Sequence, residues 1–142
     1  VIAFEPDPVH YECLVKNCPE DVETHQLAVG NEEKMIALSE DNFTQAKRVV
    51  GDGTIPMVTI DSLDLDDVDL IKIDVEGFEM EVLKGAENTL KNVDYLMIEL
   101  NNNSKKYGSS NLEIEKHLRK TGFEIMIKVW PDVVWRKKGN SK

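Results

Sequence analysis

Four carboxylates stand where apolar runs give way to turns: Glu5 after "VIAF", Asp74 and Glu76 after "DLIKI", and Glu99 near the end of "DYLMIEL". A carboxylate closing a strand of a layered fold accepts hydrogen bonds from paired hydroxyls, as nucleoside-binding folds do with a ribose, and Glu5 has that position. Asp74 and Glu76 are two residues apart, so an extended backbone turns both to one face. There they would orient a substrate hydroxyl, remove its proton or hold a divalent cation. Glu99 ends the next apolar run and is a candidate to line the same pocket. Each position also has a plainer reading. Glu5 and Glu76 would complement the positive end of the helix that follows, and Glu99 would be a solvated strand end. Lys72, inside an apolar run, is expected to snorkel or to pair with an acid, because an unpaired buried charge is expensive.

The elements that must position these acids follow from the spacing of apolar residues. "VIAF" reads as a strand and is broken by "PDP". Asp7 is a helix N-cap and Pro8 suits the first helical position. Tyr11, Leu14, Val15 and Cys18 then repeat at the spacing of one buried helix face. "THQLAV" reads as a short strand closed by Gly30. "KMIALS" and "PMVTID" are strand-like, with a polar loop containing "GDG" between them. "VDLIKIDV" is a nearly continuous apolar run, which suits a central parallel strand covered on both faces. Phe78, Val82, Leu83, Ala86 and Leu90 form the stripe of a following helix. "DYLMIEL" is the next strand, and Ser110 with Glu113 makes a capping box for a helix ending at Gly122. "FEIMIKV" and "VVWRK" close the chain as a hairpin, with Trp130 and Trp135 flanking it as packing residues.

Strand alternating with helix predicts an α/β fold, a mostly parallel sheet with helices on both faces and a C-terminal antiparallel hairpin. Ligands of such sheets bind at the carboxyl ends of the strands, where Glu5, Asp74, Glu76 and Glu99 would meet. The 142 residues fit a single domain, 1–142.

A formal charge of −10, from 17 Lys and Arg against 27 Asp and Glu, argues against a nucleic-acid partner. The one basic cluster, "RKKGNSK", reads as a solvated tail. No apolar run reaches the roughly 20 residues that span a bilayer, so no membrane association and a cytoplasmic location are expected. Cys13 and Cys18 are five apart and point in different directions along a helix, which fits two free thiols rather than a metal or redox pair. His10, His25 and His117 have no ligand spacing, and no metal is expected. From the residues alone three classes remain open: a transferase with a nucleoside-bearing donor, a divalent-metal-dependent phosphoryl hydrolase using Asp74 and Glu76, and a non-catalytic acidic interaction module.

The long block "LIKIDVEGFEMEVLKGA" resembles the most distinctive motif of the FkbM family of S-adenosylmethionine-dependent methyltransferases. "VIAFEPDPVHYECLVKN" is similar to that family's second strand and helix, "LAVGNEE" to its third strand, "VTIDSL" to its Thr-Leu-Asp segment with Ile60 in place of Leu, and "YLMIEL" to its next strand. The likeness covers about residues 1 to 128. It implies a class I methyltransferase fold, Rossmann-like, with strand order 3-2-1-4-5-7-6, and O-methylation of a hydroxyl on a sugar, other glycan or small metabolite. It further implies S-adenosyl-L-methionine as cofactor, with Glu5 on its ribose and the "AVG" turn, Ala28 to Gly30, near its adenine, Ala28 and Val29 being its cofactor-binding residues. Asp74 and Glu76 would border the transfer pocket as catalytic residues, and Glu99 would contact the substrate. The family's first strand and its glycine-rich loop have no counterpart in this sequence. The expectation is therefore a domain lacking the first strand and incomplete at its N-terminus.

Overall fold

The computed structural model describes residues 1–39 and 47–139. Most of the polar loop expected before "GDG", and the last three residues of the basic tail, lie outside them.

The chain opens with β1 (Ile2–Phe4), α1 (Pro8–Asn17) and β2 (Glu23–His25), and β1 pairs in parallel with β2. Asp7 caps α1 as expected, its Oδ1 accepting the Val9 and His10 amides at 3.0 Å each. The apolar stripe of α1 does not become a buried face. No residue of the helix is buried, and Val15 is exposed.

Next come β3 (Ala28–Val29), β4 (Lys34–Leu38) and β5 (Val49–Val58), a second sheet with β5 in the middle, parallel to β3 and antiparallel to β4. "GDG" proves to be part of β5 rather than a loop. The register jumps there, from Ile36 opposite Ile55 to Ala37 opposite Gly51, so the extra residues bulge out of the pairing. Gly53 makes this possible, since a Cβ on it would strike the Ile36 carbonyl.

The third sheet is built from β6 (Leu70–Ile73), β7 (Tyr95–Glu99), β8 (Phe123–Val129) and β9 (Asp132–Lys137) in the order β6-β7-β9-β8. Only β6 and β7 run parallel; β9 is antiparallel to both its neighbours. The architecture is thus mixed α/β with mixed sheets, not one mostly parallel sheet. Among the described residues β6 is an edge strand, not a central one, and it shares no hydrogen bonds with β1.

Helices α2 (Glu79–Lys84) and α3 (Asn111–Lys120) contribute to the main core. Val82 and Leu83 from α2 and Ile114 and Leu118 from α3 cluster with Ile73, Leu96, Ile98, Val133 and Trp135 of the sheet. Strand alternation puts those sheet residues on one face. The opposite face is not covered as the helix-on-both-faces pattern requires: Leu70 is 55% exposed and Ile127 48%. Trp135 is a core residue, whereas Trp130 is 59% exposed and packs little.

The helix expected from Phe78 to Leu90 is only six residues long. It stops at Gly85, whose missing Cβ lets the backbone press on the Gly30 carbonyl at the end of β3. The stripe survives the break, because Ala86 and Leu90 stay buried through a 3-10 turn at Thr89–Lys91. Asp61 secures that turn by accepting the amides of Asn88 at 2.9 Å and Thr89 at 2.8 Å. A smaller apolar cluster, Ala28, Ile36 and Met57, lies in the β3–β5–β4 sheet, and Phe78 packs against it.

Candidate active site

Parallel register sets the centre of the site. Leu70 pairs with Tyr95 and Lys72 with Met97, so the next residues on that face, Asp74 and Glu99, emerge side by side as β6 and β7 end. On the other flank of β7, Glu99 faces Asp132 of β9. The Lys72 Nζ donates to Asp74 Oδ2 at 2.9 Å, the pairing anticipated for a charged residue inside an apolar run.

Register makes the Asp74 and Glu99 carboxyls neighbours, near enough for a hydrogen bond when one of them is protonated. That bond to Asp74, helped by burial and by the charges of Asp74, Glu76 and Asp132, pushes the Glu99 carboxyl up to about 7. Burial pushes Asp74 up as well, but the bond from Glu99 and the Lys72 ammonium outweigh it and hold Asp74 below the usual carboxylate range. Two neighbouring carboxyls do not both ionise readily, so the last proton of the pair is held up toward neutral pH. Such a pair has an acceptor oxygen and a donor O–H in one place, the equipment for moving a hydroxyl proton.

Glu76 follows in a tight turn with φ of 53°, a left-handed conformation that few non-glycine residues adopt. Its side chain turns toward the segment after β7, where Asn101 Nδ2 donates to Oε2 at 3.2 Å and Asn103 Nδ2 to the same oxygen at 3.0 Å. Gly77, at φ of 111°, lies against that segment; a Cβ there would sit 2.6 Å from the Asn103 carbonyl carbon. The Gly77 amide donates to Glu79 Oε1 at 2.8 Å. Glu79 is only 2% exposed, and burial pushes its carboxyl up.

Glu5 closes β1 and belongs to a different sheet from Asp74 and Glu99. Its Oε1 accepts the Asp7 amide at 2.8 Å, and burial pushes its carboxyl up. Asp7 borders a cavity of about 440 Å³ whose other walls come from β4 and β5, including Ile36, Leu38, Thr54 and Ile55. The Ala28 side chain is buried beside Ile36 and Met57, and Val29 packs on the main core.

The sheet register brings Asp74 and Glu99 together, with Glu76 in the same electrostatic neighbourhood. Sequence reasoning passed over Asn101, Asn103, Asp132 and the buried Glu79. The signal for the asparagines was present in "NNNSKK", three consecutive side-chain amides directly after a strand that ends in an acid.

Comparison with known proteins gives these contacts a setting. Residues 1–125 match the methyltransferase FkbM domain. The chain is 30% identical over 111 residues to hexuronic acid methyltransferase AglP of Haloferax volcanii, an alignment covering 70% of this chain and 46% of that protein. It is similar in fold to the crystal structure of methyltransferase FkbM from Methylobacillus flagellatus KT, with a TM-score of 0.65 and 19% identity over 96% of this chain and 36% of that one. The chain thus spans less than half the length of either relative. Among the described residues no helix is long and apolar enough to cross a membrane. With residues 1–125 matched, the chain belongs to the methyltransferase FkbM domain family.

Proposed function

We propose that the chain is the catalytic region of an S-adenosylmethionine-dependent O-methyltransferase whose acceptor is a hydroxyl of a sugar, other glycan or small metabolite. The carrying observation is the adjacency of Asp74 and Glu99 at the ends of two parallel strands, with Lys72 bound to Asp74.

The side chains fit such a donor. Glu5 would accept from its ribose hydroxyls, beside the cavity that Asp7 borders, and the Ala28–Val29 backbone would lie near the base. Asp74, Glu76, Glu99 and Asp132 make an acidic surround that suits a cationic sulfonium. When bound, S-adenosylmethionine supplies an electrophilic methyl carbon open to in-line displacement by an oxygen. The protein's share is placement and proton movement. Asp74, kept ionised by Lys72, accepts the acceptor hydroxyl's proton, while Glu99 contacts the substrate and shares the proton with Asp74. Glu76 borders the same pocket and orients the acceptor. The order β6-β7-β9-β8 supports the reading, since it is the order expected of the second half of a class I methyltransferase sheet. A further strand lying between β1 and β6 would join the two sheets, and each of these strands has one edge unpaired among the described residues.

The test is calorimetric and kinetic, on the full protein. Glu5→Gln should weaken S-adenosylhomocysteine binding by about 1–3 kcal/mol, the worth of hydrogen bonds to a charged group. Asp74→Asn should lower turnover of the best acceptor in a panel of neutral and uronate glycosides by roughly 100-fold, typical of a lost general base, and leave that binding nearly unchanged. Normal turnover in Asp74→Asn would remove the carboxyl pair from the chemistry.

A further inference from the structure

We propose that Asn101 and Asn103 are positioning residues for methyl transfer, their side-chain amides together fixing the Glu76 carboxylate beside the Asp74–Glu99 pair. The inference rests on the catalytic reading of Glu76 given above.

Both amides donate to one oxygen, Glu76 Oε2. Their orientations are set by other partners. The Asn101 Oδ1 accepts the Asn103 backbone amide at 3.0 Å, and the Asn103 Oδ1 accepts Lys106 Nζ at 2.7 Å. With each oxygen engaged elsewhere, each NH₂ is the end left for Glu76. The carboxylate is therefore held from two positions on a segment anchored in β7.

The backbone beneath is held too. A left-handed glutamate is strained and persists only where its surroundings over-determine it. Here Gly77 wedges against Asn103, and the buried Glu79 takes the Gly77 amide. A glutamate needed only to complement the start of α2 has no use for this. Its carboxylate would point at the helix, whereas Glu76 reaches across to the segment after β7. A strained turn that aims one acid at two amides, close to the neighbouring carboxyls of Asp74 and Glu99, is the arrangement expected of a group whose direction matters.

The experiment is a mutant cycle on the full protein: Glu76→Ala, the pair Asn101→Ala with Asn103→Ala, and all three together. Two readouts are taken: methyl transfer to p-nitrophenyl β-D-glucuronide, and backbone amide exchange of residues 75–77 by mass spectrometry. With Glu76 present, losing both asparagines should lower kcat roughly 10- to 100-fold, as misplacement of a catalytic group does, with KM for the glycoside and S-adenosylhomocysteine binding within about twofold. With Glu76 already alanine, losing them should change kcat no further. Exchange at 75–77 should accelerate about tenfold in the asparagine variant and no more in the triple variant, a measurement that needs no acceptor. Additive effects in the exchange cycle overturn the proposal, as does an unchanged kcat in the asparagine variant when Glu76→Ala is impaired. An unimpaired Glu76→Ala overturns the catalytic reading of Glu76 itself, which separates the two failures.

Discussion

Single residues carried much of what was legible. Lys72 was expected to find an acid and found Asp74; the Ser110–Glu113 box formed, with Ser110 Oγ accepting the Glu113 amide at 3.3 Å. Both are short-range events, written within three positions of sequence. The Asp74–Glu99 bond and the grip of Asn101 and Asn103 on Glu76 depend on pairing across 25 or more residues, which spacing along the chain does not encode. The shared proton has a measurable effect on stability. Glu99 binds its proton more tightly folded than unfolded, with a value near 7 against an ordinary 4.5. Its contribution is therefore full below the unfolded value and is lost as pH rises from 4.5 toward 7. Glu99→Gln, which keeps a donor toward Asp74 without the titration, should flatten the stability profile across that window. Urea midpoints taken at half-unit steps of pH check it, and an unaltered slope would mean the two carboxyls do not share a proton.

At the scale of elements, patterning found nearly every strand and helix but misjudged how far they run. "GDG" looked like a loop because two glycines flank an aspartate, yet a bulge lets β5 absorb it. The helix after β6 ended early because Gly85 meets Gly30 from a distant strand, a contact that an i, i+4 stripe cannot reveal. Asp61, within "VTIDSL", turns out to be a staple. It holds the 3-10 turn after α2 through two amides and the Thr89 hydroxyl, the last at 2.8 Å. Burial pushes the Asp61 carboxyl up, but those amides and the hydroxyl draw it below its ordinary 3.8. The sign is opposite to that of Glu99: the stabilisation is present above 3.8 and lost as pH falls through the folded value. Asp61→Ala should cost about 1–2 kcal/mol at pH 7, the usual worth of a capping acid. The deficit should shrink when unfolding is measured near pH 3. A constant deficit would assign it to packing instead.

For the whole molecule, the class was readable and the layering was not. The alternation of strand and helix gave α/β, but apolar composition alone made β6 look enclosed, when among the described residues it lies at an edge with one face partly bare. Burial is uneven along the chain. The β1–α1–β2 unit contributes none of the buried apolar residues, whereas β7 and β9 contribute Leu96, Ile98, Val133 and Trp135. Opening free energy follows buried apolar contact. Native-state hydrogen exchange should show amides of residues 2–25 exchanging through a local opening and those of β7 and β9 only through global unfolding. Equal protection of the two sets would mean that the molecule opens as one unit.

The outer rim of β6, unpaired among the described residues, bears on how these residues by themselves would behave at high concentration. Main-chain N–H and C=O groups along such a rim act as a template that any extended peptide can join, whatever its sequence. A further strand beside β6 would take up those groups; where the rim is bare, the charge of Lys72 in mid-strand discourages stacking of this kind.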